Sequence, residues 1–349
     1  MSCAAIGHRG NGEASVVPTG ALRAVVRLLV ALALMALAVW LVGPDRLVRQ
    51  WARADQSWFL AAVATAALAQ LVSVWRWGTI ARIFGLRVRL RALALAYAQG
   101  MTLNVILPGA TLGGDALRSV RLQALGNPLG VSALTVLLDR LSGLWVLCVL
   151  SLLTGLALTL QLGAGALGGS VLPLGGLPWI KPAQIVWAYL AGLALACAMP
   201  WLPLRAAAAP ASGTSSWPAR LWRRLGELHE LALAQRRPLG RSLWSSVLVQ
   251  VLCAVTLWLC VLAAGGRADY WQVQAIAAPV FVAGSLPLSY GGFGARELAA
   301  LAAFPLVGLP ADLGLAASVL YGVVAVVLGL AAAPSFALAG PGGPVTRRP

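Results

Sequence analysis

This chain is nearly without lysine, histidine and acid. Of its 26 basic residues only Lys181 is not arginine, and it has ten aspartates and glutamates and two histidines. His8 and His229 lie in polar segments, far from each other along the chain. The five cysteines, Cys3, Cys148, Cys197, Cys253 and Cys260, form no Cys-x-x-Cys, and all but Cys3 sit in apolar runs. These absences exclude a disulfide framework and leave no set of ligands for zinc or iron. No metal and no cofactor is expected. No Asp-x-Asp pair and no glycine-rich nucleotide loop occurs either, and residues 1–20 lack the apolar core of a signal peptide.

What remains is apolar and basic. Hydrophobic residues make up 60% of the 349, only 10% are charged, and the mean hydropathy is +0.84. That composition describes a membrane protein. A net charge of +16 in so apolar a chain reads as arginine-rich loops held against anionic lipid, and not as a nucleic-acid surface.

A membrane span needs about 20 mainly apolar residues. Runs at 24–43, 57–75, 183–203 and 242–264 qualify directly. Two more qualify with a complication: 131–160 contains Asp139-Arg140, and 312–334 begins at Asp312 and ends at Pro334. Two shorter apolar runs, 92–107 and 272–286, end in Leu-Pro breaks. Each is followed by a second short helical run, 115–125 and 293–306. Short helix, break, short helix is the pattern of a re-entrant hairpin.

The arginines orient these segments. Arg76, Arg82, Arg87, Arg89 and Arg91 stand without an acid after the second span, and the 204–241 loop is equally basic. Both are placed in the cytoplasm. The 161–182 and 265–270 connections carry little net charge and are placed outside. The crossings balance if 92–125 enters and leaves from the cytoplasm and 271–306 enters from outside. The expected fold is therefore an all-α polytopic membrane protein with an inverted-topology repeat: about six spanning helices plus two re-entrant hairpins. Eight full spans is the alternative, because Arg118 and Arg121 could face either water layer. Residues 1–20 and 336–349 are expected as cytoplasmic tails, the first disordered. Residues 21–335 form one transmembrane domain with halves at 21–160 and 183–335. Within the 204–241 loop, Leu221, Leu225, Leu228 and Ala232 recur at helical spacing and predict an interfacial amphipathic helix. Trp75 and Trp77 read as an interfacial anchor at a span end.

The two breaks resemble each other across about 180 residues. The first runs Leu107-Pro108-Gly109-Ala110-Thr111-Leu112-Gly113-Gly114-Asp115-Ala116-Leu117-Arg118 and the second Leu286-Pro287-Leu288-Ser289-Tyr290-Gly291-Gly292-Phe293-Gly294-Ala295-Arg296-Glu297. The prolines end the incoming helices, the glycine pairs allow a tight turn, and the outgoing helices start with unpaired N–H groups. Two such helix ends, with Arg118 and Arg296, suit an anion such as a phosphate. Asn104, Pro108, Gly113, Gly114, Asp115, Arg118, Asp139 and Arg140 are the candidate binding residues of the first half. Those of the second are Pro287, Ser289, Gly291, Gly292, Gly294, Arg296 and Glu297. Ionisable groups at this depth are functional candidates by default. Asp115 and Arg118 can pair within one helical turn, Asp139 and Arg140 form a second couple, and Glu297 is expected to look away from Arg296 toward the bundle. A purely structural pairing of these charges is the competing reading.

The same residues carry a family resemblance. Arg76-Trp77, Asn104-Val105-Ile106-Leu107-Pro108, Gly113-Gly114-Asp115, Arg118, Leu138-Asp139-Arg140 and the segment Ser285 to Glu297 make the chain resemble the flippase-like transmembrane domain of lysylphosphatidylglycerol synthases, over residues 20–335. The family pattern is more often Glu-Arg where this chain has Asp139-Arg140. Members that aminoacylate lipid carry a large soluble domain after the membrane part. Here the resemblance implies the membrane part alone, handling an anionic or polyprenyl-type lipid in the cytoplasmic (inner) membrane.

Three functions follow. The first is a lipid flippase or lipid-handling transporter, with an anionic headgroup as partner. The second is a non-transporting accessory subunit of an envelope or lipid-biosynthesis enzyme. The third is a lipid-dependent transferase, for which only Asp115, Asp139 and Glu297 could supply acid–base chemistry. The sequence favours a non-enzymatic protein and leaves the lipid, the energy source and the oligomeric state open.

Overall fold

The structure is a computed structural model that describes residues 54–106, 112–163, 182–198, 236–286 and 294–338. Within them the chain is helical: α1 Gln56–Ile83, α2 Leu90–Ile106, α3 Leu112–Ala124, α4 Leu129–Leu162, α5 Pro182–Ala198, α6 Arg236–Ala263, α7 Tyr270–Ser285, α8 Ala295–Ala303, a 3-10 turn Phe304–Val307, α9 Ala311–Ala332 and α10 Ser335–Leu338. Among the described residues four helices are long and apolar enough to cross a membrane: α1, α4, α6 and α9 with its extension. The all-α polytopic class holds. The expected span at 24–43, the amphipathic helix from 217 to 235, most of the 161–182 connection and both tails, apart from the first residues of the second, lie outside the described residues.

Helix boundaries differ from the hydropathy reading in two instructive places. α1 does not stop at Trp75 but continues to Ile83, and four exposed arginines, Arg82, Arg87, Arg89 and Arg91, follow its core. Arg76 breaks the apolar run yet is buried, because a carboxylate inside the fold receives it. The second difference concerns Gly113 and Gly114. They sit in the first turn of α3, not in the break. Their role is proximity: a Cβ on Gly114 would strike the Gly100 carbonyl and the Asn104 side chain. The two hairpin arms thus touch backbone to backbone, as small residues permit in membrane helices.

The helix pairings obey a correspondence. α1 packs on α6, and the Asp55 N–H at the start of α1 donates to the Ala263 carbonyl at the end of α6 (2.9 Å), so these two helices run antiparallel. α2 packs on α3 as α7 packs on α8, and α3 on α4 as α8 on α9. Across the sets, α2 meets α9 as α7 meets α4, and α1 meets α9 as α6 meets α4. Exchanging α1–α4 with α6–α9 leaves this pattern unchanged. α5 packs on α4. The segment that would answer it, residues 24–43, is outside the described residues.

Buried backbone groups in an apolar medium must find partners, each failure costing several kcal/mol. Pro279 tests this rule, since it sits inside α7 and cannot donate to the carbonyl four residues back. The Tyr189 hydroxyl of α5 donates to the freed Ala275 carbonyl (2.6 Å). Ser151 of α4 enters the neighbouring gap: its Oγ donates to the Gln274 carbonyl (2.9 Å) and accepts from the Ala278 N–H (3.1 Å). In the other arm, Gln99 of α2 donates to the Ser335 carbonyl at the start of α10 and Thr102 to the Gly329 carbonyl near the end of α9 (both 3.0 Å). Each hairpin is therefore tied to the last span of the opposite set.

Candidate functional site

Asp139 lies on α4 and is only 2% exposed, where an isolated carboxylate would be prohibitively costly. Two arginines from other helices neutralise it. Arg76 of α1 donates from Nε to Oδ1 (2.8 Å) and from Nη2 to the Asp139 carbonyl (3.1 Å), while Arg118 of α3 donates from Nη2 to Oδ2 (3.0 Å). Arg118 also reaches Asp115 one turn back (3.4 Å). Asp115 in turn accepts a fork from Arg140, Nε to Oδ2 at 2.9 Å and Nη2 to Oδ1 at 3.0 Å. The result is one continuous chain, Arg76–Asp139–Arg118–Asp115–Arg140, joining α1, α3 and α4. It runs from a closed end at Arg76 to a partly open one, with the Arg140 side chain 34% exposed. Three guanidinium groups meet two carboxylates, so the network carries one surplus positive charge.

The expected Asp139–Arg140 couple does not form. Adjacent helical residues point about 100° apart, so each turns to a different neighbour. The Asp115–Arg118 pairing is present. Arg118 is almost wholly buried and faces neither water layer. Its guanidinium carbon lies 4.1 Å above the Trp77 ring and 4.5 Å from the Tyr97 ring centre, contacts worth about 2 kcal/mol when dry. Trp77 is fully buried beneath it, and its Nε1 donates to Thr135 (3.3 Å). Trp77 is thus no interfacial anchor. Trp75, 45% exposed, is the residue of the pair open to that role. Asn104 is engaged as well. Its Oδ1 accepts from the Gly114 N–H (3.0 Å), pairing one of the open donors of the first turn of α3.

The second cluster is built at the start of α8. Gly294 has φ +99°, a conformation that side chains rarely tolerate, and ends the break. Glu297 folds back so that its Oε2 accepts from the Gly294 N–H. This brings its other oxygen to Arg296, whose Nη2 donates to Oε1 (3.2 Å). The expected divergence of Arg296 and Glu297 is therefore overturned: the capping turn reverses the glutamate, and the arginine is long enough to follow. Ser318 of α9 accepts from Arg296 Nε (3.2 Å) and donates to Glu297 Oε1 (3.4 Å). Tyr321 of α9 lies beside the guanidinium, 5.3 Å from ring centre to Cζ. The stem of Arg296 packs on Gly284 as that of Arg118 packs on Gly100.

α6 packs on both α1 and α9, the helices that carry Arg76 and Tyr321. Pro108, Pro287, Ser289, Gly291 and Gly292 are outside the described residues. The sequence reading missed Arg76, Trp77, Tyr97, Ser318 and Tyr321 as site residues. A signal existed for Ser318, since the offset that carries Leu107 to Leu286 also carries Asp139 to Ser318. The acid paired with the hairpin arginine has moved from the span in one half to the hairpin in the other.

No curated protein matches the chain. The sequence profile of the lysylphosphatidylglycerol synthase transmembrane region matches residues 24–333. With that match over most of its length, the chain belongs to the lysylphosphatidylglycerol synthase transmembrane-region family: it is an integral membrane protein related to lipid handling.

Proposed function

We propose that the protein moves an anionic phospholipid or a polyprenyl-type lipid across the cytoplasmic membrane by alternating access. The headgroup would sit at a midplane site where the two hairpins meet, and both termini would be cytoplasmic. The observation that carries this reading is the buried Arg76–Asp139–Arg118–Asp115–Arg140 chain with its surplus positive charge. The surplus positive charge is the feature that an anionic headgroup would use. The antiparallel α1–α6 pair and the exchange-invariant pairings support an inverted repeat, the architecture on which rocking around a central site is built.

The test is headgroup translocation in liposomes by the purified protein, with Arg296→Ala beside the parent. Movement of an anionic lipid by the parent and its loss in the variant is the expected result. A parent that moves no anionic lipid, or a variant with full activity, overturns the reading.

A further inference from the structure

Pro279 divides α7 into two parts that the fold holds very differently. The ring cannot donate to the helical ladder, and membrane helices bend at such places. On the N-terminal side, residues 273–278 are buried without interruption. That run exceeds one helical turn, so every face of the helix is covered. Polar bonds from two other helices fix it there. Ser151 of α4 donates to the Gln274 carbonyl and accepts from the Ala278 N–H, and Tyr189 of α5 donates to the Ala275 carbonyl. On the C-terminal side Val280 is the last buried residue of α7, and residues 281–285 are half-buried. The contacts of this side are apolar: the Phe281 ring centre stands 5.1 Å from that of Tyr321, and Gly284 lies against the stem of Arg296. Contacts of that kind part without orphaning a polar group, whereas release of the N-terminal side would strand buried carbonyls. α2, the answering arm, shows no such division. It contains no proline, and Thr102 and Val105 keep it buried up to its end.

We propose that α7 hinges at Pro279 and that residues 280–285 are a gate over Arg296. The inference rests on the lipid-translocation reading above and assigns its moving part: the second hairpin arm bends, while the first stays a rigid rod tied to α9. In the present conformation Arg296 is 5% exposed, and with Gly284 on its stem it is closed to a headgroup. The gate is about 9 Å long, so a swing of about 25° at the proline carries its far end about 4 Å. That displacement is wider than one oxygen atom and lifts the Gly284 backbone off the arginine. Ser151 and Tyr189 hold the last turn before the pivot to α4 and α5, which makes that turn the fixed socket of the hinge.

The experiment is hydrogen–deuterium exchange of the purified full chain in detergent, read by mass spectrometry on fragments of α7 and α2. Amides 280–286 are expected to exchange about tenfold faster than 273–278, and about tenfold faster than 101–106 of α2, which also runs into a Leu-Pro pair. Pro279→Ala restores the missing N–H and is expected to slow 280–286 to the rate of 101–106. Equal exchange of 280–286 and 101–106 in the parent, or fast exchange of 280–286 that persists in Pro279→Ala, overturns the hinge. Ser151→Ala cuts the socket and is expected to raise exchange at 273–278 toward that of 280–286. Should Pro279→Ala fail to fold, this variant carries the test, and unchanged protection at 273–278 refutes the arrangement. In liposomes containing phosphatidylglycerol, Pro279→Ala is expected to translocate that lipid about tenfold more slowly than the parent. A parent that moves no lipid but shows the step in exchange sinks the transport reading alone. A Pro279→Ala protein with the step removed and the full translocation rate sinks the gating role alone.

Discussion

Asp139→Asn is the sharpest perturbation that the first cluster offers. The change keeps the size and one acceptor oxygen but removes the charge and replaces the second acceptor with a donor. Two guanidinium groups, from Arg76 and Arg118, then face an amide at 2.8 and 3.0 Å, and one of them meets N–H with N–H. Breaking a buried ion pair from one side costs about 3–5 kcal/mol, and the retained oxygen puts this case near the lower end. At about 1.4 °C per kcal/mol for a chain of this size, the melting temperature should fall by about 4–7 °C. Thermal unfolding of the detergent-solubilised protein, followed by fluorescence-detected gel filtration, measures it. Asp115→Asn is the internal control. Asp115 is 17% exposed and its partner Arg140 34%, so solvent screening discounts the pair and the fall should be markedly smaller. Asp139→Glu keeps the charge and should lie between the parent and Asp139→Asn. A fall of under about 2 °C for Asp139→Asn, or equal falls for the two asparagine variants, would show that burial does not set the strength of this network.

Ser151→Ala leaves the Gln274 carbonyl and the Ala278 N–H without partners at the Pro279 kink. It should destabilise by about 3 kcal/mol, and adding Pro279→Ala should restore part of the melting temperature. Gly114→Ala forces the hairpin arms apart at Gly100 and should lower stability by about 1–3 kcal/mol, read as a lower folded yield by gel filtration. Glu297→Gln loses the charge that holds Arg296 and weakens the cap on Gly294. A loss of about 1–3 kcal/mol is expected by thermal melt, with a smaller effect for Ser318→Ala, which removes only a neutral hydroxyl from between Arg296 and Glu297.

Much of the architecture was legible in the chain. Runs such as 131–160 and 242–264 are long enough to cross a bilayer, and the Leu-Pro pairs follow directly on the described ends of α2 and α7, where proline is expected because it cannot continue a helix. The partners of the charges were not legible. Arg76 read as a basic loop marker because hydropathy averages over a window and cannot see a carboxylate 63 residues away. Trp77 read as an anchor for the same reason: whether an aromatic ring faces lipid headgroups or a buried guanidinium depends on what packs above it. Glu297 was misplaced because helical spacing describes residues within a helix, and the capping turn lies at its edge.

The sequence alone determined that this is an all-helical membrane protein and where its helices break, since transfer of apolar residues out of water and the missing N–H of proline are local effects. It also determined that two similar break segments occur in the two halves. Only the tertiary structure decided which charges meet. Asp139 is shared between α1 and α3, Arg140 is handed to Asp115, and Arg296 is turned onto its own neighbour. In a low-dielectric interior a charge is stable only where a partner of opposite sign lies within a few ångströms, and distances of that kind are set by helix packing, not by sequence spacing.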